Sequence, residues 1–169
     1  MSYRNKTYVA FASEDIRCYR LMEAWRDNEH IDFNFFDAHD LYVARDTSKP
    51  ESIKARLGER LKNAKQVVLL GSSHCKKKGG DGVSFLAYEV GAIIRLGLPV
   101  VVANLDGGRK IDKSFIPQSF LDADYYTISV SFQPAIIKCA LDNYVPNFAK
   151  GGASGPHYYK PEVYKDLGL

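Results

Sequence analysis

The hydrophobic positions of this chain alternate between short continuous runs and helical arcs, and the broadest arc lies in residues 83–97. At about 100° per residue, the apolar side chains of this stretch share one face of a helix. They are Phe85, Leu86, Val90, Ile93, Ile94 and Leu96. Glu89, the only acid of the stretch, falls inside that arc, whereas the only base, Arg95, falls outside it. Because an unpaired carboxylate is costly to bury, we expect Glu89 to lie at the rim of a cleft, where a ligand can use it.

Apolar runs rich in β-branched and aromatic residues predict strands, each bounded by polar or glycine-containing segments. The predicted strands are residues 7–12, 33–37, 66–71, 98–105 and 125–130. The third of them, QVVLLG, is almost continuously apolar, which is typical of a strand buried on both faces of a parallel sheet.

Between these runs the apolar spacing changes to that of helices. The predicted helices are residues 15–28, 50–63, 83–97 and 133–144. Ser13 is the expected N-cap of the first helix, and Pro50 opens the second. The segment SSHCKKKGGDG, residues 72–82, predicts a loop whose glycines provide flexibility.

Strands that alternate with helices predict an α/β fold, in which a single domain of residues 1–146 holds a five-stranded parallel sheet with helices on both faces. Ligands of such sheets bind beyond the carboxyl ends of the strands. The segments expected at that edge are the most polar and glycine-rich of the chain, residues 12–14, 37–46, 72–82 and 104–112.

Residues 147–169 have the glycine-rich composition of a linker but contain three tyrosines. One interpretation is a C-terminal tail that is a frayed terminus. The other is that Tyr158, Tyr159 and Tyr164 dock the tail on the domain or on a partner. The sequence leaves both open.

Composition excludes several classes of function. A chain of 169 residues can bury a sizeable core in one domain, and a net charge of +3 is too small to predict nucleic-acid binding. No apolar run is long enough for a membrane span, and the first residues lack the apolar core of a signal peptide. The three separated cysteines form no metal-type motif, so we expect no metal and a cytoplasmic location.

Several candidate residues allow both a structural and a functional interpretation. Glu89 is either a structural acid paired with a base from another element or a catalytic group, and Phe85, four residues earlier, is either core or part of the same site. Ser13 either caps a helix or contacts a ligand. Asp37 and Asp40 follow the second strand, a position that often contacts ribose, or else they are solvated acids of a loop.

Three stretches, YVAFASEDIR, FFDAHDLYVARDTS and FLAYEVGAIIRLG, together resemble the TIR-like domains of bacterial Thoeris antiphage systems, and more broadly TIR domains that cleave NAD. The resemblance extends over residues 6–145 and implies a flavodoxin-like sheet of strand order 2-1-3-4-5. It also implies a catalytic glutamate on the helix after the third strand, four residues beyond an aromatic residue that is usually Trp. Glu89 and Phe85 match this spacing, with Phe in place of Trp. The turn of Phe11, Ala12 and Ser13 is implied to line the nucleotide site.

NAD cleavage suits a single carboxylate. Nicotinamide leaves as a neutral molecule, and the transition state is oxocarbenium-like at the ribose. An ionised Glu89 beside the ribose hydroxyls would stabilise this developing cation. The effect is strongest in a cleft from which water is excluded.

The resemblance implies NAD as substrate and no bound cofactor. The preferred hypothesis is an ADP-ribose-derived, cyclic signal in antiphage defence, and the sequence leaves cyclisation and hydrolysis both open. The resemblance implies a separate effector protein that senses the signal. A homo-oligomer is a further expectation, with the oligomeric state left open by the sequence.

Two alternatives remain open at this point. The chain could be an enzyme similar to nucleoside deoxyribosyltransferases, in which a glutamate attacks the anomeric carbon as a nucleophile. It could also be a non-catalytic TIR or flavodoxin-like interaction module, because fold alone does not imply catalysis.

Overall fold

The fold is that of a computed structural model, which describes residues 6–37 and 49–169. They contain one parallel sheet of six strands. Its strands are β1 Lys6–Ala10, β2 Phe36–Asp37, β3 Gln66–Gly71, β4 Val100–Asn104, β5 Thr127–Ser131 and β6 Pro156–Tyr158. The order across the sheet is β2-β1-β3-β4-β5-β6, and every neighbouring pair is parallel. The predicted α/β class with a parallel sheet is confirmed. The predicted number of strands is too low, because β6 comes from the segment expected as a tail.

Helices cover both faces of the sheet. They are α1 Ile16–Asp27, α2 Pro50–Asn63, α3 Ser73–Gly79, α4 Phe85–Leu96, α5 Gln118–Asp122, α6 Pro134–Phe148 and α7 Pro161–Asp166. Successive strand residues point to opposite faces, so that Tyr8 belongs to the core under α2 and α4, and Val9 to the core under α1 and α6. This alternation assigns each strand side chain to one of two hydrophobic cores.

Two residues define the ends of α4. The Ser84 hydroxyl accepts a hydrogen bond from the amide of Ala87 and caps the N-terminus. Gly97 ends the helix in the left-handed conformation at φ 64°, which a residue with a Cβ adopts only with strain. The helix is therefore slightly shorter than the predicted range 83–97.

The predicted loop at residues 72–82 is wrong, because its first half is the helix α3. Ser72 caps this helix by accepting from the amide of Cys75, and Cys75 is fully buried. Gly79 is also buried, and a Cβ at this position would lie 2.5 Å from Cγ of Pro117. This glycine thus permits close packing and does not provide the predicted flexibility.

The second predicted strand is also corrected, since only Phe36–Asp37 pairs with β1. Phe33 and Phe35 are buried by aromatic packing outside the strand. The ring of Trp25 in α1 lies 5.7 Å from the ring of Phe33, in an edge-on arrangement. The hydrophobic run therefore reflects packing against α1, which the run alone does not distinguish from strand pairing.

Residues 147–169 are part of the same sheet and helix layers, so the interpretation of this segment as a frayed terminus is wrong. Helix α6 continues past the predicted boundary at residue 146 to Phe148, and β6 pairs with β5. Tyr164 in α7 is fully buried, and its hydroxyl accepts from the amide of Ser131, 3.0 Å away. Docking through a tyrosine is therefore confirmed for Tyr164, whereas Tyr158 is 47% exposed.

Candidate functional site

Glu89 lies beneath the surface of the protein. Helix α4 turns it toward the sheet together with Leu86, Val90 and Ile93, and only 5% of Glu89 is exposed. The expectation that Glu89 lies at a rim is therefore wrong: its arc packs as a core face, and Glu89 goes inside with it. Within the described chain Glu89 forms no ion pair, and its Oε2 atom has no hydrogen-bond partner. The described residues therefore provide no counter-charge for Glu89.

The environment of Glu89 favours its neutral form. Desolvation raises the pKa of Glu89 to about 8, and the side chain of Tyr8 acts in the opposite direction. Tyr8 comes from β1 and is itself fully buried. A cationic ligand beside this carboxyl favours the ionised form, so ligand binding and ionisation are coupled at this position.

A second carboxylate, that of Asp15, lies in the turn between β1 and α1. Asp15, in the 3-10 turn before α1, accepts a 2.5 Å hydrogen bond from the hydroxyl of Ser72. Burial, together with the charges of Asp15 and Glu89, raises the thiol pKa of Cys75 to about 12. The thiol therefore stays neutral and is no nucleophile.

A charged pair lies on the surface of the same edge. Lys78 Nζ, from the last turn of α3, lies 2.9 Å from Oε1 of Glu14 and donates to Oγ of Ser13 at 3.3 Å. The hydrogen bond from Lys78 lowers the pKa of Glu14. The backbone carbonyl of Lys78 accepts from the hydroxyl of Ser84, the N-cap of α4. The turn after β1, the end of α3 and the start of α4 are thus linked directly.

The part of the chain that carries these groups matches a known family. The family model described as Thoeris protein ThsB, TIR-like domain, matches residues 8–110. The chain belongs to this family. The matched residues include Tyr8, Asp15, Ser72, Lys78 and Glu89, whereas β5 and everything after it lie beyond the match. A comparison with curated proteins gave no match.

Membership in the ThsB TIR-like family supports a TIR-type antiphage role. Three of the residues predicted for the site lie together in this TIR-like domain. Ala12 is 1% exposed and belongs to the same core cluster as Tyr8, and Phe85 is half-buried against that cluster, one turn before Glu89. The structure therefore places Ala12, Phe85 and Glu89 on one side of the sheet.

Other predicted residues lie elsewhere. The ring of Phe11 stacks on Tyr19 of α1, 4.9 Å between centroids, and packs against the core on the opposite face. Ser13 is exposed and caps no helix, because the N-cap positions are Ala12 for the 3-10 turn and Asp15 for α1. The predicted capping role of Ser13 is wrong: Ser13 begins a 3-10 turn, and α1 begins after it at Ile16.

Of the two acids predicted after the second strand, the structure describes only the backbone of Asp37. Asp37 ends β2, in register with Thr7 of β1, and its side chain is not described. Asp40 lies outside the described residues. Both remain predictions.

Sequence reasoning missed four polar members of the site, Tyr8, Asp15, Ser72 and Lys78. A tyrosine within a buried strand is itself a signal, because its hydroxyl needs a partner. Ser72 follows β3 directly, at the end of a strand where ligand sites of parallel sheets form. No pattern in the sequence indicates that Asp15 or Lys78 belongs to the site. The position of Asp15 depends on the 3-10 turn, and that of Lys78 depends on α3, a segment that the sequence predicts as a loop.

In residues 6–37 and 49–169, no three His, Cys, Asp or Glu side chains come together as a metal site. Across the same two ranges, no helix has the length and hydrophobicity that crossing a bilayer requires. A pocket of about 390 Å³ lies beside α6, and its lining includes Ile31, Lys138 and Leu167.

Proposed function

We propose that this TIR-like protein consumes NAD by breaking the bond between nicotinamide and ribose, and that Glu89 is its catalytic residue. The observation that carries the proposal is a carboxyl group buried under α4 beside Tyr8 of β1, with no ion pair and with one oxygen free of hydrogen bonds in the described chain. Such a group is costly for folding and useful for binding a cation.

The chemistry requires only one charge at the right place. When the bond between the anomeric carbon and the ring nitrogen breaks, its electron pair stays with nicotinamide, which leaves neutral. Positive charge then develops on the ribose, and the Glu89 carboxylate stabilises it. With 5% exposure, little water competes with this interaction, so its effect on the transition state is larger than in solution.

Substrate charge also explains how a carboxyl with a raised pKa becomes active. The pyridinium ring of NAD is cationic, and its arrival beside Glu89 favours loss of the carboxyl proton. Ionisation then coincides with substrate binding. Phe85, one turn earlier on α4, is the proposed stacking partner of the ring or base.

We propose a cyclic product. Attack of water on the ribosyl cation yields ADP-ribose and a proton, whereas attack by a nucleophile of the same molecule yields a cyclic ADP-ribose. The scarcity of solvent around Glu89 favours the intramolecular route. In this proposal the product is a signal in antiphage defence within the cytoplasm, and a separate effector protein senses it.

The decisive experiment is incubation of the purified protein with NAD, with and without an extract of phage-infected cells, followed by mass analysis of the products. Glu89→Gln should lower NAD loss by on the order of 10²–10³-fold or more. Glu59→Gln is the matched control, because Glu59 is an exposed acid on α2 paired with Lys62. Equal rates for the wild type and Glu89→Gln contradict the proposal, and a covalent sugar adduct on Glu89 indicates the deoxyribosyltransferase-like mechanism instead.

A further inference from the structure

Lys78 is anchored beside the helix that carries Glu89. Its backbone carbonyl accepts a 2.5 Å hydrogen bond from the hydroxyl of Ser84, which caps α4. Glu89 lies five residues further along α4, roughly 7 Å at about 1.5 Å per residue. The position of Lys78 relative to Glu89 is therefore set by backbone geometry, and a change in the Lys78 side chain leaves that link intact.

The ammonium group of Lys78 lies between the carboxyl ends of neighbouring strands. Its stem belongs to α3, which follows β3, and its Nζ reaches Glu14 and Ser13, which follow β1. The chain continues from β1 to β2 on one side, whereas β3 lies on the other side of β1. This divergence is the topological switch point at which parallel sheets bind ligands.

The present partner of Lys78 is easily exchanged. The side chains of Lys78 and Glu14 are 35% and 37% exposed, and solvent screens a surface ion pair of this kind strongly. A pyrophosphate offers more negative charge and more acceptor oxygens than one carboxylate, and its hydrogen bonds with an ammonium group are charge-assisted. The hydroxyl of Ser13 now accepts from Lys78 and donates to Oε2 of Glu14 at 3.4 Å, and it can turn to donate to the same anion when Glu14 is displaced.

We propose that Lys78 is the residue that holds the pyrophosphate of the dinucleotide substrate, and that Glu14 occupies its ammonium group until the substrate displaces it. This inference rests on the proposed function. In NAD, one ribose ring and one methylene separate the reacting anomeric carbon from the nearer phosphate, so a charge beside the N-cap of α4 suits a reaction at Glu89. Lys78 is a binding and positioning residue, whereas the chemistry stays at Glu89.

Binding is tested in a Glu89→Gln background, so that turnover does not interfere. Calorimetry measures the Kd of NAD and of nicotinamide riboside, which lacks phosphate, for four added substitutions: Lys78→Gln, Lys78→Arg, Lys77→Gln and Glu14→Gln. Lys77 is the matched control, because it is the neighbouring exposed lysine of α3.

We expect Lys78→Gln to weaken NAD binding about tenfold and to leave nicotinamide riboside unaffected, since only NAD carries the phosphates. Lys78→Arg should retain most of the affinity, and Glu14→Gln should increase it because a competing anion is lost. The inference is overturned if Lys78→Gln and Lys77→Gln bind NAD equally well, if both ligands lose affinity alike, or if the Glu89→Gln protein does not bind NAD.

The two proposals fail separately. If NAD binding depends on Lys78 but the wild type shows no turnover, the role of Lys78 in phosphate binding is supported and the proposed NAD-consuming activity is contradicted. If turnover depends on Glu89 but Lys78→Gln and Lys77→Gln have equal KM values, the proposed NAD-consuming activity is supported and the role of Lys78 in phosphate binding is overturned.

Discussion

Ser72 donates its hydroxyl hydrogen to the carboxylate of Asp15, with 2.5 Å between Oγ and Oδ2. This bond joins the turn after β1 to the turn after β3. The same hydroxyl oxygen accepts from the amide of Cys75 and caps α3. One buried side chain thereby links the turn that contains Ser13 and Glu14 to helix α3, which carries Lys78.

Loss of this hydroxyl is expected to destabilise the fold. Ser72→Ala removes the N-cap of α3 and the hydrogen bond to Asp15, which is only 9% exposed, so the free energy of unfolding should fall by about 1–3 kcal/mol. Urea unfolding followed by circular dichroism measures the change. Ser73→Ala, on the exposed neighbour, should stay within about 0.5 kcal/mol of the wild type. Equal losses for both variants would argue against the role of Ser72.

Stability should depend on pH through Glu89. Its pKa is raised from 4.5 to about 8 in the folded state, so the folded state binds the proton more tightly than the unfolded chain. The resulting stability is fully present below the unfolded value near 4.5, falls as the pH rises toward about 8, and is constant above that. Glu89→Gln lacks this dependence.

The test is the difference in unfolding free energy between Glu89→Gln and the wild type from pH 4 to 9. We expect the difference to grow in favour of the variant by at most about 1.4 kcal/mol per pH unit, and then to level off. Other titrating groups contribute to both proteins alike and cancel. A difference that does not change with pH contradicts the raised pKa.

Tyr8→Phe should move the pH dependence of turnover. The side chain of Tyr8 lowers the pKa of Glu89, so loss of its hydroxyl raises that pKa further. If Glu89 must ionise in the free enzyme, kcat/KM rises with pH, and the Tyr8→Phe profile lies at higher pH than that of the wild type. Tyr164→Phe is the control, since it removes a buried hydrogen bond far along the chain and should leave the profile unchanged.

The elements that the sequence predicts well are those whose signal is local. Helix α2 and strand β3 have the predicted bounds, Pro50–Asn63 and Gln66–Gly71, because a proline at the first turn and a continuous apolar run each suffice. Helix α3 was missed because its sequence, SHCKKKG, shows no helical stripe. Its burial depends on two small side chains, Cys75 and Gly79, that pack under neighbouring elements.

In the candidate site too, the sequence predicts what depends on local pattern and does not predict what depends on contacts between distant segments. The position of Glu89 on the apolar face of α4 follows from periodicity alone, and this part of the prediction is confirmed. Its depth does not follow, because it depends on Tyr8 and on the packing of α4 against β1, which are distant in sequence. The resemblance implies Phe11 as a site residue, but its ring stacks on Tyr19 and packs with Val9 on the other face of the sheet.

The C-terminal segment should contribute strongly to stability although it lies beyond the family match. Tyr164 is fully buried, accepts from the amide of Ser131, and lies under the guanidinium of Arg109, 4.4 Å from its ring centre. Tyr164→Ala removes this packing and leaves the Ser131 amide buried without its partner, so a loss of about 3–5 kcal/mol is expected in urea unfolding. Tyr158→Ala, at an exposed residue of β6, should cost much less. If both substitutions cost the same, the segment is not anchored through Tyr164. Limited proteolysis gives an independent measure, because the Tyr164 variant alone should be cut rapidly after α6.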